Sequence, residues 1–395
     1  MMDFGFDAAD QEFRGRARRW LDERLGPGGA FADLRGVKAP EDAERRRAWE
    51  RELGAGGWIG LGWPESSLTR QVVWFEEYAR AEAPDPLGIV GEQLLAPTLL
   101  LHGTAAQRAR YLPGIAAGTE IWCQGYSEPD AGSDLANLRT AAEPAAEGAG
   151  DGDGAGATWW VSGQKTWTSL SQWADWCFVL ARTEPGSRRH AGLSVLLVPM
   201  HQEPGRIEVR PIRQLNGVSE FSEVFFDRAR AVDVLGPVGE GWRVAMTLLS
   251  FERGAGMLGR QIGYQRELDA VLRAAANSGA DRDPVLREAL TRQWADLWVM
   301  RANALRTLGR AEPGTAAVAK LVWGNWHQRL GELALQVQGL PGAFADGRAH
   351  DPDAYPLTPA QHTLLFSRAD TIYGGSDQIQ RDIISERVLG LPRTT

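Results

Sequence analysis

Two short stretches hold the residues best placed to do chemistry. The first, Trp122–Asp134, begins as an apolar, strand-like approach and ends in a turn. Pro129 fixes φ, Gly132 permits a positive φ, and Ser127, Ser133 and Asp134 can bond nearby backbone groups. Such a loop gathers hydroxyls and main-chain N–H groups in one region, which suits a planar, polar-edged cofactor. The second, Val161–Ser169, sets Trp167 beside Thr166, Thr168 and Ser169 just after a short strand. A large aromatic next to hydroxyls can give one face and one edge to a flat ring.

Composition bounds what these loops can serve. The chain has 395 residues, enough for a large core and two or three domains. Its 16 Trp residues imply much flat, rigid packing surface. A net charge of −8 argues against a nucleic-acid or acidic-membrane partner. The two cysteines, Cys123 and Cys177, form no C-x-x-C, which excludes a redox pair or thiolate zinc site of that type and fits a reduced, cytoplasmic setting. Neither an apolar leader core nor a long uncharged span is visible, so no membrane role is expected.

Periodicity divides the chain into helices, strands and helices again. Helical spacing covers Asp7–Leu25 (Phe13, Ala17, Trp20 and Leu21, with Asp7 as cap), Glu41–Leu53, Leu68–Ala83, Gly91–His102 and Ala105–Ala117, the last capped by Thr104. Arg45, Arg46 and Arg47 read as the solvated face of the second helix. From residue 120 the period changes: Ile121–Gly125, Thr158–Ser162, Trp176–Ala181, Leu193–Pro199, Ile207–Ile212 and Glu223–Phe226 are short and bounded by turn residues. Between the first two lies Glu143–Ala157, too poor in apolar side chains to offset its own ordering, and expected to be mobile. Helical patterns resume over Trp242–Leu272 (one helix or two), after the Asp283 cap and Pro284 (Leu286, Leu290, Trp294, Leu297 and Leu305 on one side), over Ala316–Gln338, and over Asp377–Leu389. The boundaries implied are 1–119 for a helical domain, 120–235 for a β domain and 236–395 for a helical bundle.

Together the two loops resemble those of the acyl-CoA dehydrogenase family. The resemblance continues through Glu220–Asp227, Gly239–Trp242 and Ile372–Arg381, and so spans nearly the whole chain. It implies an α+β fold with an N-terminal helical domain, a central β-barrel domain and a C-terminal four-helix bundle. It also implies FAD as cofactor, an acyl-CoA or acyl-carrier-protein substrate, electron-transfer flavoprotein as acceptor, and a homo-oligomer, dimer or tetramer. By resemblance Tyr126 and Ser127 meet the pyrimidine side of the flavin, Ser133 the phosphate or acyl entrance, Trp167 the ring, and Thr168 and Ser169 the region of N5. Gln336 and Gly339, with Ser376 and Gln378, resemble contacts made to the adenine end of a neighbouring subunit's FAD. The family's pyrophosphate-contacting Arg-x-x-Phe-Gly has no counterpart: Asn277–Leu286 holds Arg282 but no Phe-Gly.

The base is the most informative departure. Oxidising an acyl thioester at Cα–Cβ needs a carboxylate to remove the Cα proton. Many members of the family place a Glu after the Tyr of the Tyr-x-Gly motif, and here Gly374 follows Tyr373. Gly374 can still donate its N–H to the thioester carbonyl, a bond that strengthens as enolate charge develops. Isovaleryl- and long-chain-type members carry the base at the position of Glu252 in Ser250–Gly254, so the resemblance assigns the role to Glu252, with Arg253 beside it as electrostatic partner.

Other matches fail on context. Gly254–Gly259 spells G-x-G-x-x-G within a helical pattern without a preceding strand, and Ser162–Lys165 spells S-x-x-K leaving a strand. The six His show no metal-ligand spacing. Two rival readings stay open: a related flavin oxidase or monooxygenase, and a catalytically incomplete subunit of a heteromeric dehydrogenase. Arg188 and Arg189 are candidates to meet a phosphate of the acyl carrier.

Overall fold

A computed structural model describes residues 6–36, 43–61, 63, 67–145, 158–251, 256–307, 314–344 and 357–392. The loop 146–157 lies outside these residues. The first third is helical: α1 (Ala8–Leu25), α2 (Ala43–Ala55), α3 (Leu68–Arg80), α4 (Ala96–His102) and α5 (Ala105–Ala116). Asp7 caps α1 through the Asp10 N–H at 2.8 Å. Thr104 and Gln107 close a capping box on α5. Phe13, Ala17 and Leu21 meet Trp49, Trp58 and Trp74 in one core, with Trp58 stacked on Trp74 at 4.4 Å. Trp20 packs at the edge of that core.

The arginine run is not a solvated face. Arg46 is buried and donates to the Asp85 carbonyl, while Arg47 pairs with Asp175 at 3.0 Å in the β domain. The guanidiniums sit inward because backbone and carboxylate acceptors of other elements await them. A second difference is a π-helical turn at Gly91–Leu95, before α4, where a continuous α-helix was expected.

The strands are β1 (Trp122–Gly125), β2 (Ala141–Pro144), β3 (Trp159–Ser169), β4 (Trp176–Arg182), β5 (Leu193–Pro199), β6 (Ile207–Ile212), β7 (Phe221–Ala231) and β8 (Asp233–Leu235). They form one sheet in the order β6-β7-β3-β2-β4-β5-β8, with β1 parallel on β4. Inward residues of β4 and β5 share a core with those of β3 and β7, so the sheet curls around them. β3 is longer than periodicity suggests, because bulges at Val161/Gly163 and Lys165/Thr168 break its alternation. β2 and β8 are too brief to read from periodicity, and the start of the stretch expected to be mobile, Glu143–Pro144, instead pairs with β3 as the end of β2. Cys123 and Cys177 are register partners across β1 and β4 and are free thiols.

The last third contains α6 (Gly241–Phe251), α7 (Gly256–Ser278), α8 (Pro284–Thr307), α9 (Thr315–Gln338), α10 (Pro359–Ser367) and α11 (Asp377–Ile383). Asp283 caps α8 by accepting the Val285 N–H at 2.8 Å. α7, α8 and α9 bury Leu268, Leu290, Leu297, Trp326 and Leu330 between them. Trp294 was expected in that stripe but is 47% exposed, packed edge-on against Trp298. Beyond α11 the chain makes a π turn over Ile384–Val388, and Val388 is exposed. No helix among the described residues is long and apolar enough to cross a membrane.

Candidate active site

The two loops singled out above are held together by one buried ion pair. Lys165, on β3, is fully buried and donates to Glu128 Oε1 at 2.8 Å and to the Tyr126 carbonyl at 3.0 Å. Glu128 also accepts the N–H groups of Arg139 at 2.6 Å and Thr140 at 2.8 Å. Burial pushes the Lys165 amine down to about 8. Burial opposes ionisation of Glu128 as well, but Lys165 and the backbone donors outweigh it and hold the carboxyl below its usual range. The Thr166 N–H donates to the Ser127 carbonyl at 2.9 Å, which zips the loops further. Sequence reasoning missed both residues. The signal available was Lys165 itself, a charged residue beside a strand position that must face inward.

The bulge between Lys165 and Thr168 turns one side chain outward. Trp167 stands at φ 57° and is 59% exposed, touched edge-on by Phe221 at 6.3 Å. A bulky residue at positive φ is strained by ~1–2 kcal/mol. It is therefore not a core tryptophan: its indole is turned out of the sheet. Next to it, the Thr168 hydroxyl is buried and bonds no described residue. A flat ring with a polar edge fits both observations, the exposed indole face and the orphan hydroxyl. Ser169 is half-buried at the end of β3, Tyr126 is buried against Phe178, and Ser133 is exposed in its turn.

The Tyr373–Gly374 turn lies within electrostatic range of Glu220, whose carbonyl meets the chain just after β3. The Leu170 N–H donates to the Glu220 carbonyl at 2.9 Å, and the Glu220 carboxylate acts on the Tyr373 phenol, whose pKa burial, Asp370 and Glu220 raise against the opposing pull of Arg260. Gly374 and Gly375 take positive φ of 63° and 88°, conformations that favour glycine. Gln380 Nε2 donates to both of their carbonyls, at 3.1 and 3.2 Å. The Gly374 N–H bonds no backbone carbonyl among the described residues, which leaves it available to a ligand.

Beneath this turn lies a buried chain of ionisable groups. Tyr373 donates to Asp370 Oδ1 at 2.6 Å; His327, on α9, bridges Asp370 Oδ2 at 2.5 Å and Glu267 Oε2 at 2.8 Å. Lys320 Nζ bonds the Asp370 carbonyl. Burial alone would lower the imidazolium pKa of His327, but Asp370 and Glu267 raise it to about 9. A group raised from 6.5 to about 9 contributes stability that is complete below pH 6.5 and lost as pH climbs through 9. The loss is about 3 kcal/mol. Melting curves of wild type and His327→Phe should therefore differ most near pH 6, and the difference should shrink as pH rises through 9.

Among the described residues no hydrogen bond or ring contact joins the remaining candidates to the two loops. Ser376 caps α11 by accepting the Ile379 N–H at 3.4 Å, and Gln378 is exposed one turn from Gly374. Gln336 and Gly339 are exposed at the end of α9, and among the described residues no hydrogen bond or ring contact joins them to Trp167 or Tyr126. Glu252 and Arg253 lie outside the described residues, between the end of α6 at Phe251 and the start of α7 at Gly256. The G-x-G-x-x-G stretch falls partly in the same gap. No group of three or more ligating side chains suited to a metal ion occurs among the described residues.

This combination of folds and sites recurs in known proteins. Residues 7–119, 123–229 and 239–389 match the N-terminal, middle and C-terminal domains of acyl-CoA dehydrogenase. The chain belongs to the acyl-CoA dehydrogenase family and is an enzyme of that class, a flavoprotein oxidoreductase. It is 52% identical to acyl-CoA dehydrogenase IpdE1 of Mycolicibacterium smegmatis, over 97% of this chain and 98% of that one. Among solved structures it is similar to the Tcur3481-Tcur3483 steroid ACAD, with 28% identity, full coverage of both chains and a TM-score of 0.80. It is also similar to the ChsE4-ChsE5 complex from Mycobacterium tuberculosis, with 27% identity, full coverage of both and a TM-score of 0.77.

Proposed function

We propose that the protein uses FAD to oxidise the Cα–Cβ bond of a bulky, steroid-derived acyl-CoA to the trans-2-enoyl thioester. The observation that carries this reading is the outward Trp167 face beside the buried Thr168 hydroxyl, which bonds no described residue; the Gly374 N–H, bonded to no backbone carbonyl among the described residues, supports it. FAD, when bound, would accept the Cβ hydride. The chain's own residues do the rest. Gly374 donates to the thioester carbonyl and gains most when that oxygen carries enolate charge. Glu252 takes the Cα proton. Arg253, next in the sequence, is its proposed electrostatic partner. Asp370, through Tyr373, holds the turn on which Gly374 sits. The Lys165–Glu128 pair holds Tyr126, Ser127 and Ser133 in register with Trp167, Thr168 and Ser169.

The steroid-derived substrate rests on the similarity to a steroid ACAD. Coenzyme A is preferred over a carrier protein on the same ground. Electron-transfer flavoprotein is the proposed acceptor. Gln336, Gly339, Ser376 and Gln378 are proposed to meet the adenine end of a neighbouring subunit's FAD, so the active unit is an oligomer. A second reading has a specific observation behind it. Gly374 stands where many relatives hold the base, and two of the similar solved structures are named for two components, so this chain is also a candidate for one half of a mixed oligomer.

Turnover with an artificial electron acceptor in place of oxygen tests the reaction. A product lighter by two hydrogens, with a new Cα=Cβ bond, is expected. A product that has gained oxygen would move the protein to the oxidase or monooxygenase class.

A further inference from the structure

Arg260, on α7, is exposed and has neither an ion pair nor a hydrogen bond from its side chain to any described residue. That is unusual among its neighbours. Arg266, one and a half turns on, pairs with Glu82 and donates to the Ala79 carbonyl, and Arg301 pairs with Glu76. The Arg260 guanidinium lies over the Trp323 ring at 5.7 Å. Trp323 in turn lies 6.1 Å from the Tyr373 ring, and Lys320 Nζ sits over both rings, at 4.6 and 5.1 Å. A Cβ on Gly374 would come within 3.7 Å of Lys320 Cε. Arg260 is thus one aromatic pair away from the proposed thioester site.

Among the described residues none uses its donors. Tyr264, Tyr373, Asp370 and Asp85 act on Arg260 electrostatically, but the Asp370 carboxylate is already committed to His327 and Tyr373. Proton abstraction by Glu252 and carbonyl binding by Gly374 do not call for a cation at this place. An arginine stacked on an indole keeps a planar fan of five N–H donors pointing away from its support.

We propose that Arg260 recognises a hydrogen-bond-accepting oxygen on the acyl moiety, so that the enzyme selects oxygen-bearing acyl-CoA thioesters over pure hydrocarbon ones. This rests on the dehydrogenase reading above and names the substrate class. A hydrocarbon group closing over the guanidinium would strip it of water and return nothing, and sites built to bond a substrate oxygen reject analogues lacking it. A ring ketone and a carboxylate share the acceptor chemistry, and the test separates them.

The test compares three CoA thioesters on the flavin-loaded protein: 3-cyclohexylpropanoyl-CoA and its 4-oxo and 4-carboxy derivatives. Wild type should favour one oxygenated ester over the hydrocarbon by about tenfold to a hundredfold in kcat/KM. The ketone leading identifies a carbonyl substrate, and the carboxylate leading identifies an acid. Arg260→Met, which keeps the aliphatic stem, should level the three rates with flavin content and melting temperature unchanged, while Arg260→Lys retains part of the preference. Equal rates in wild type, or a preference that survives in Arg260→Met, would overturn the inference. If no ester bleaches the flavin, the dehydrogenase reading fails on its own. Calorimetric Kd values for the same esters then decide this proposal by the same criterion.

Discussion

Glu252→Gln slows reduction of the bound flavin by acyl-CoA by about 10²–10⁴-fold and leaves flavin content unchanged. The substitution keeps shape and hydrogen-bonding capacity but removes the proposed proton acceptor. The effect has to be this large because no second base is available at the family's other position. Gly374 has no side chain, and its turn is fixed at positive φ by Gln380. Stopped-flow absorbance in the absence of air measures the rate directly. A variant that reduces at the wild-type rate would move the base to another residue or another chain.

Lys165→Met carries the largest expected stability loss. It strands the Glu128 carboxylate, which is 8% exposed, and breaking one partner of a buried pair costs about 3–5 kcal/mol. The damage is also local, because Lys165 is bonded to the Tyr126 carbonyl and the Glu128 carboxylate in one loop from a strand that carries Trp167. Flavin should be lost at lower denaturant concentration than the helical bundle unfolds. The double variant Lys165→Met with Glu128→Leu should recover part of the stability, since an apolar replacement of both partners leaves no buried charge. Denaturation followed at the flavin and at far-ultraviolet circular dichroism separates the two events. Coincident transitions in every variant would show that the pair stabilises the whole chain without holding the loops.

What could be read from the residues follows from range. The order of helices and strands was legible because amphipathic periods and caps are local: Asp7, Thr104 and Asp283 each cap the helix foreseen for them. The turn after β1 was legible because Pro129 and the small polar residues around it mark turns by type, although Gly132 does not take a positive φ. Long-range pairing was not. Arg46 and Arg47 look solvated until the Asp85 carbonyl and Asp175 arrive from elsewhere in the chain. Lys165 looks like a chance match until Glu128 is seen 37 residues away. The exposure of Trp167 depends on a bulge, which breaks the alternation that strand reading relies on. The His327 chain was invisible for the same reason: Glu267, His327 and Asp370 come from three separate elements.

The whole account asks that an acyl thioester deliver its hydride to a flavin set against Trp167. Titration of the purified yellow protein with a polycyclic propanoyl-CoA, in a sealed cuvette without oxygen, follows this at the flavin's visible absorbance. Stoichiometric bleaching, with enoyl thioester recovered in equal amount, is the result this account predicts. An absorbance that stays that of oxidised flavin while the thioester is shown to bind would contradict it.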